Sequence, residues 1–374
     1  MLGGCASTQP SPQPQSSAPV PAQAAAPQAS AASEVEASTQ PIPAPNLVIS
    51  PSLTIDTGSY AQRDDARALG DRLAQDFQLD PAWTRAALAQ ARFKDSVAKL
   101  IMPGPPSVAK NWAVYRSRFV EPMRIKAGVA FWRTYESDLR RAEARWGVPA
   151  AIIAGVIGVE TIYGRNTGNF RVLDALATLS LDFPKGRSDR SSFFQKELGH
   201  FLKFCDEQKL APTSVLGSYA GAMGLPQFMP SSVRSFGVDF DGDGRIDLLN
   251  SPVDAIGSVA HYLAEHGWQR NMPTYYDVTA PTDTEALAQL LVPDIVPSFT
   301  VADMQKRGAT LPDAALDHTG LLALVKLENG DAAPTMIAGT GNFYAITRYN
   351  QSSYYALAVI QLGQAVARAA SNTP

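Results

Sequence analysis

The run Gly147-Val148-Pro149-Ala150-Ala151-Ile152-Ile153-Ala154-Gly155-Val156-Ile157-Gly158-Val159-Glu160-Thr161 decides how the rest of the chain is read. Twelve uncharged apolar residues, Val148 to Val159, are followed at once by Glu160. A membrane-spanning helix needs roughly 20 such residues, so the segment reads as a helix buried in a protein core, opened by Gly-Val-Pro. Glu160 lies four residues after Val156, seven after Ile153 and eight after Ile152. Those spacings put it on the same helix face as the aliphatic side chains. A carboxyl group in apolar surroundings loses hydration, which favours its protonated form. Glu160 is therefore a candidate general acid near neutral pH. The structural alternative is a Glu at a helix end that reaches solvent or pairs with Arg165.

Working outward, the upstream chain is helical in pattern. Ala66, Leu69, Leu73 and Phe77 recur at spacings of three and four. Asp80-Pro81 reads as an N-cap with Pro at the first helical position, leading into a helix from Trp83 to Leu100. Pro103 to Pro106 breaks the chain, and helices follow around Trp112 to Tyr135 and Glu136 to Trp146. Downstream, the apolar runs Leu321 to Leu327 and Thr335 to Gly339 flank Glu328-Asn329-Gly330-Asp331, a hairpin signal. The expected fold class is mainly α (α+β) with a small β-containing insertion. Of the 374 residues 45% are hydrophobic and 18% charged, a globular balance. The 32 basic and 35 acidic residues leave a net charge of -3, which argues against binding nucleic acid through bulk charge. Two cysteines, Cys5 and Cys205, make no disulfide framework, and His200, His261, His266 and His318 show no metal-ligand spacing. Cys205 is expected as a buried free thiol.

The segment Ser218-Tyr219-Ala220-Gly221-Ala222-Met223-Gly224-Leu225-Pro226-Gln227-Phe228-Met229-Pro230-Ser231-Ser232 carries little charge and many small residues. Small residues let backbone approach a ligand closely, and Ser218 and Gln227 can hydrogen-bond hydroxyl or amide groups. A tight buried crossover loop has the same composition. Taken with Gly158-Val159-Glu160-Thr161, the Ala-Leu-Ala-Thr-Leu-Ser stretch at 175–180, and Thr347-Arg348-Tyr349-Asn350, this segment resembles the membrane-bound lytic transglycosylase B family. The likeness runs from about Phe93 to about Arg368.

The resemblance implies a lysozyme-like helical catalytic core flanked by smaller domains. It also implies cleavage of peptidoglycan between N-acetylmuramic acid and N-acetylglucosamine with a 1,6-anhydro product. Glu160 matches the family's single acid/base. Tyr115, Ser218, Gln227, Tyr262, Tyr349, Asn350 and Tyr355 match residues that line its glycan groove, and Arg190 matches one of its arginines. Arg187 is set apart from Arg190 by Ser188 and Asp189, where the family's pair is often adjacent, which leaves its role open. The tyrosines are expected to stack on sugar faces and hydrogen-bond through their hydroxyls. A hydrolytic muramidase and a non-catalytic peptidoglycan-binding lipoprotein are the competing readings. No catalytic cofactor is expected, and the protein is expected to act as a monomer.

Asp239-Phe240-Asp241-Gly242-Asp243-Gly244-Arg245-Ile246-Asp247 matches positions 1, 3, 5, 6 and 9 of an EF-hand loop, with Arg245 offering its carbonyl. Position 12 is Asn250 where a bidentate Glu is usual, and the resemblance implies that Asp254 substitutes. A structural calcium is expected, against an ordinary acidic turn.

Leu2-Gly3-Gly4-Cys5 resembles a bacterial lipobox, in which the Cys becomes the lipidated N-terminus. Residues 6–46 are almost entirely Ala, Pro, Ser, Gln and Thr, a composition that cannot repay its ordering entropy and suits a tether. Such a tether spans roughly 40 Å as a coil. Ala6 implies sorting to the periplasmic face of a Gram-negative outer membrane. The chain is thus expected to divide into an N-terminus and linker (1–58), a helical region and catalytic core with the acidic loop at 239–250 (59–275), an α/β insertion (276–345) and a segment completing the core (346–374).

Overall fold

The computed structural model describes residues 58–103 and 110–372; Cys5 and the linker behind it lie outside them. The described chain is mainly α, with sixteen helices and five strands. The first helix, α1 (Asp64–Phe77), turns Ala66, Leu69, Leu73 and Ala74 inward. Asp80 caps α2 (Pro81–Ala89), accepting the Trp83 N–H at 2.6 Å, and Pro81 sits where its missing N–H has no intrahelical partner to lose.

Two expected helices are corrected. The stretch Trp83 to Leu100 is not one helix: α2 stops at Ala89 and α3 (Asp95–Leu100) starts afresh. The N–H groups of Arg92 and Lys94 leave the helical path and donate to Asp174 Oδ1 and Thr178 Oγ1, each at 3.0 Å. A tertiary partner overrides local propensity there. Likewise Trp112 to Tyr135 is two helices, α4 (Trp112–Ser117) and α5 (Pro122–Thr134). Pro122 cannot donate into a continuing α4, so it starts a new helix instead. Glu121 caps that helix through the N–H groups of Met123 and Arg124.

After α6 (Glu136–Trp146), Gly147 turns the chain at φ 76° into α7 (Ala150–Thr161). Every residue of α7 from Ile152 to Val159 is buried, as a helix apolar on all sides requires. α5, α6, α11 and α16 surround it, with α11 at Pro252–Glu265 and α16 at Ser353–Ser371. Between α7 and α11 come β1 (Phe170–Arg171), α8 (Val172–Leu181), α9 (Ser191–Glu207), β2 (Leu216–Gly217) and α10 (Pro230–Phe236), with β1 and β2 paired antiparallel. Among the described residues no single helix is long and apolar enough to cross a membrane.

The remaining elements are β3 (Tyr275–Asp277), α12 (Thr284–Leu291), α13 (Val301–Lys306), α14 (Asp313–Leu316), β4 (Ala323–Asn329), β5 (Ala332–Gly339) and α15 (Gly341–Thr347). The strands form one antiparallel sheet in the order β3-β5-β4. Asn329 still pairs with Ala332, so the hairpin turn is Gly330-Asp331, with Gly330 at φ 63°. Strand alternation sends neighbouring side chains to opposite faces. Val325 and Leu327 join the main core, while Leu324 packs with Leu290, Met304 and Leu322 in a second, smaller core. Tyr275 and Tyr276 divide in the same way.

Candidate active site

Glu160 stands one residue before the end of α7. The crossing of α7 with α16 is set by two glycines. A Cβ on Gly155 would overlap the Val359 carbonyl, and one on Gly363 would overlap the Ala151 carbonyl. With no side chains at the crossing, the two backbones touch. That contact brings Tyr355, in the first turn of α16, up to Glu160, and Tyr355 Oη donates to Glu160 Oε1 at 2.6 Å. Glu160 is half-buried. Burial raises its pKa to about 7, against the lowering effect of the Tyr355 hydrogen bond. No ion pair with Arg165 forms among the described residues, so the carboxyl is not held as an anion.

Tyr262 on α11 and Tyr349 lie behind this pair, only 4% and 1% exposed, with ring centroids 4.8 Å apart. Their hydroxyls donate to backbone carbonyls, Tyr262 to Arg348 at 2.8 Å and Tyr349 to Pro226 at 2.6 Å. The expected stacking on sugars is corrected for these two. A buried tyrosine hydroxyl must find a partner inside the protein, and neither ring offers an open face. Tyr355 is buried as well, stacked on Tyr349 at 6.2 Å. Tyr115 on α4 is half-buried against Trp112, Phe119 and Tyr354. Burial and the nearby Glu160 charge push its hydroxyl up to about 12.

The Ser218–Ser232 segment is a tight loop. Ser218 Oγ accepts the N–H groups of Ala222 and Ala220 at 3.0 and 3.3 Å, which leaves its proton to donate. Gln227, at φ 50°, donates its amide to the carbonyls of Gly224 at 2.8 Å and Thr167 at 3.0 Å. That amide nitrogen braces the loop. Asn350 is half-buried, and its carbonyl accepts the N–H of Ser352, the residue that caps α16. Arg190 opens α9 with its guanidinium 4.8 Å from the Phe193 ring and 5.5 Å from Phe194. Burial and the charge of Arg187 lower its pKa, so the two arginines are neighbours in space despite Ser188 and Asp189. Arg187 itself donates to the Ile101 carbonyl.

Two features escaped the sequence reading. Thr161 Oγ1 lies 2.9 Å from the Leu225 carbonyl and accepts the Gly164 N–H, tying the end of α7 to the Ser218–Ser232 loop. A cleft of about 690 Å³ opens beside Tyr115, lined by Lys110, Arg118, Asp294, Lys326, Glu328 and Tyr354 among others. These residues come from four separate parts of the chain, and no local pattern marks them. Cys205 is a buried free thiol, as expected, and burial pushes its pKa up to about 12.

In the acidic loop the carboxylates of Asp239, Asp241 and Asp254 lie within 4.8 Å of one another. Asp254 is buried and accepts three N–H groups, from Phe240 at 2.7 Å, Asp241 at 3.2 Å and Asp247 at 2.8 Å. Asp239 accepts those of Gly242 and Gly244. Asp243 and Arg245 stand outside the group of three, with the Asp243 carboxylate accepting the Arg245 N–H at 2.9 Å. A compact set of oxygen donors fits a hard cation such as calcium.

Comparison with known proteins adds three relatives. The family model described as transglycosylase SLT domain matches residues 61–364. The chain is 39% identical over 320 residues to membrane-bound lytic murein transglycosylase B of Escherichia coli (strain K12), covering 83% of this chain and 85% of that protein. Its structure is similar to that of the catenated lytic transglycosylase SltB1 from Pseudomonas aeruginosa, with a TM-score of 0.76 and 40% identity over 83% of this chain and all of the other. It is similar also to the Escherichia coli lytic transglycosylase Slt35 in complex with calcium, with a TM-score of 0.72 and 37% identity over 87% of this chain and all of that one.

Proposed function

The chain belongs to the transglycosylase SLT domain family, and from that premise we propose that it cleaves the β-1,4 bond between N-acetylmuramic acid and N-acetylglucosamine in peptidoglycan, with Glu160 as its one acid/base. The observation that carries the reading is the state of Glu160. Burial raises its pKa to about 7, and among the described residues no second carboxylate contributes to that shift. Glycosidases that use water or an enzyme nucleophile usually work with two carboxyl groups. One suffices when the nucleophile is the sugar's own C6 hydroxyl.

In the first half of the reaction Glu160 gives its proton to the leaving glycosidic oxygen as the C1–O bond breaks. In the second half the Glu160 carboxylate takes the C6 hydroxyl proton, and O6 bonds to C1. No water is consumed, and the product ends in 1,6-anhydro-N-acetylmuramic acid. Tyr355 holds the carboxyl in place and supports its anionic form after proton transfer. Ser218 has a free hydroxyl proton with which to orient the substrate's N-acetyl group, while Asn350, Arg190 and Tyr115 border the groove. Gln227, Tyr262 and Tyr349 give that groove its shape.

The test is digestion of purified sacculi by wild type and by Glu160→Gln, with products read by mass spectrometry. Anhydro ends from the wild type and a rate loss of ~10²–10⁴ or more in a folded Glu160→Gln protein are the expected results. Reducing ends would instead identify a hydrolytic muramidase, and no products from wild type a binding protein.

The same reading extends beyond the reaction. Asp239, Asp241 and Asp254 would hold a structural calcium, with Asp243 and the Arg245 carbonyl completing the set. A lipid on Cys5 would anchor the protein to the periplasmic face of the outer membrane, in keeping with a relative described as membrane-bound. Residues 59–275 and 346–374 would form the catalytic body of a monomer, with 276–345 as its insertion.

A further inference from the structure

We propose that Arg124 is a positioning residue for Glu160: its guanidinium closes the end of α7 and fixes the direction in which the Glu160 side chain leaves the helix. The inference rests on Glu160 being the acid/base, as argued above.

Arg124 belongs to the first turn of α5, and its side chain is only 12% exposed. Its Nη1 donates to the Gly158 carbonyl at 2.6 Å and lies 3.3 Å from the Val159 carbonyl. The last carbonyls of a helix run short of intrahelical partners, and a cation is favoured beside them; the Gly158 carbonyl also accepts the Ile162 N–H at 3.2 Å, so Arg124 is its second donor. The Val159 carbonyl has a particular consequence. It belongs to the same peptide plane as the Glu160 nitrogen, so holding that oxygen restricts the rotation that would swing the Glu160 side chain.

The helix end needs such a restraint. Three successive residues after Thr161 have positive φ: Ile162 at 51°, Tyr163 at 58° and Gly164 at 87°. A β-branched residue in that region is strained and persists only where the surroundings over-determine it. Thr161 holds the turn from the side of Leu225 and Arg124 holds it from the side of α5. Tyr163 then folds back beneath the helix, where a Cβ on Gly158 would overlap its hydroxyl.

The arrangement violates ordinary packing economy. Arg124 Nε and Tyr163 Oη are both buried with no hydrogen-bond partner among the described residues. Glu121 stands 3.9 Å from Nε, and the Phe119 ring lies 5.2 Å from the guanidinium. Two orphaned polar atoms at the end of one helix are costly to stability alone. Such violations are expected where a functional geometry must be held.

The groups facing Glu160 are Tyr355 from α16, Tyr262 from α11, Tyr115 from α4 and Tyr349. Burial raises the pKa of all four, so they stay neutral through the working range. His266, stacked on Tyr262 at 4.0 Å, is held below the usual imidazole range by burial, so the alkaline limb near neutrality reports Glu160.

The experiment uses the full chain on purified sacculi, with kcat, KM and the pH–rate profile measured for wild type, Arg124→Met and Arg124→Lys, and folding followed by circular dichroism. Arg124→Met should lose ~10–100-fold in kcat with KM changed less than about twofold. A Glu160 freed from its buried setting is better hydrated, so the alkaline limb should move down by about one pH unit. Arg124→Lys, which keeps the charge and reaches one carbonyl, should recover most of the rate and move the limb back. A folded Arg124→Met protein with wild-type kcat and an unmoved limb overturns the proposal. So does a kcat loss matched by the unfolded fraction with the limb unmoved, which is a purely structural role. If Arg124→Met does not fold, Arg124→Gln decides, because it keeps a donor but has neither the charge nor the reach to the two carbonyls: a kcat loss with a lowered limb supports the proposal, and full wild-type behaviour overturns it. Wild-type protein that makes no anhydro product, or Glu160→Gln that keeps turnover, rejects the underlying reading and this one with it.

Discussion

In the proposed reaction Glu160 gives up a proton and then takes one back, so its two forms have to be close in free energy near the working pH. Burial favours the acid and the Tyr355 hydroxyl favours the anion, and the balance falls at about 7. Removing the hydroxyl tips that balance in a definite direction. Tyr355→Phe takes away a hydrogen bond that stabilises the anion, so the pKa of Glu160 rises. The acid then survives to higher pH, and the alkaline limb of the rate profile should move up. A hydrogen bond to a charged group is worth roughly 1.5–3 kcal/mol, which corresponds to about 1–2 pH units. The rate at the optimum should fall by ~10-fold, because the carboxyl loses its fixed orientation. A pH–rate profile checks this, and a limb that stays in place or moves down would remove Tyr355 from the account. The sign is opposite to that expected for Arg124→Met, so the two residues are separable.

The crossing of α7 and α16 converts backbone contact into side-chain geometry. Gly155 and Gly363 each face a carbonyl of the other helix, and the Tyr355–Glu160 pair depends on that separation. Gly363→Ala should push the helices apart and destabilise the protein by about 1–3 kcal/mol, the usual range for overpacking. Activity should fall in the fraction that remains folded, which denaturant melts combined with sacculus digestion would reveal. Wild-type activity in a stable Gly363→Ala protein would mean that the crossing has slack.

The acidic loop is an element of another kind. Asp239, Asp241 and Asp254 bring three carboxylates together with no cationic side chain paired to them among the described ion pairs. Calcium should raise the melting temperature more than magnesium, which demands a tighter octahedral geometry. Binding at 100 times Kd stabilises by ~2.7 kcal/mol. Asp239→Ala with Asp243→Ala should erase the difference between the ions. Identical melting curves in calcium and in chelator would mean that the loop is an ordinary acidic turn held by its own N–H groups.

For the whole molecule, the proposed anchor and the catalytic body make separate demands. The Cys5 tether would deliver the cleft to its polymer substrate without entering the chemistry. Full-length protein expressed in a Gram-negative host should therefore fractionate with outer membranes, and Cys5→Ser should release it with its activity on isolated sacculi unchanged. One acyl chain anchors only marginally, so the attachment requires the multiple chains of a mature lipoprotein. Wild-type protein found free in the periplasm would reject the anchor. The insertion raises a different point. Its sheet shares side chains with the main core through Val325 and Leu327, and Asp294, Lys326 and Glu328 reach the cleft beside Tyr115. Residues of the proposed insertion thus line that cleft as well as packing a smaller core.

Periodicity alone identified α7 as a core helix and placed Glu160 on its apolar face, because a helix repeats within a few residues and a buried stripe is written directly in the order of side chains. The Asp80 cap and the hairpin near Gly330 were legible for the same reason. The family's motifs brought Tyr355, Ser218 and the arginines into view as candidates, but not what each touches. Tertiary structure decided that Tyr355 meets Glu160 across 195 positions of chain. It decided also that Tyr262 and Tyr349 spend their hydroxyls on carbonyls, and that Arg92 and Lys94 end a helix early to reach α8. Arg124 had no signal at all, since its partners are backbone oxygens and a carbonyl looks the same in every residue. A local pattern encodes which face a residue occupies. Only packing decides what stands opposite that face, because the partner's identity depends on how distant helices cross.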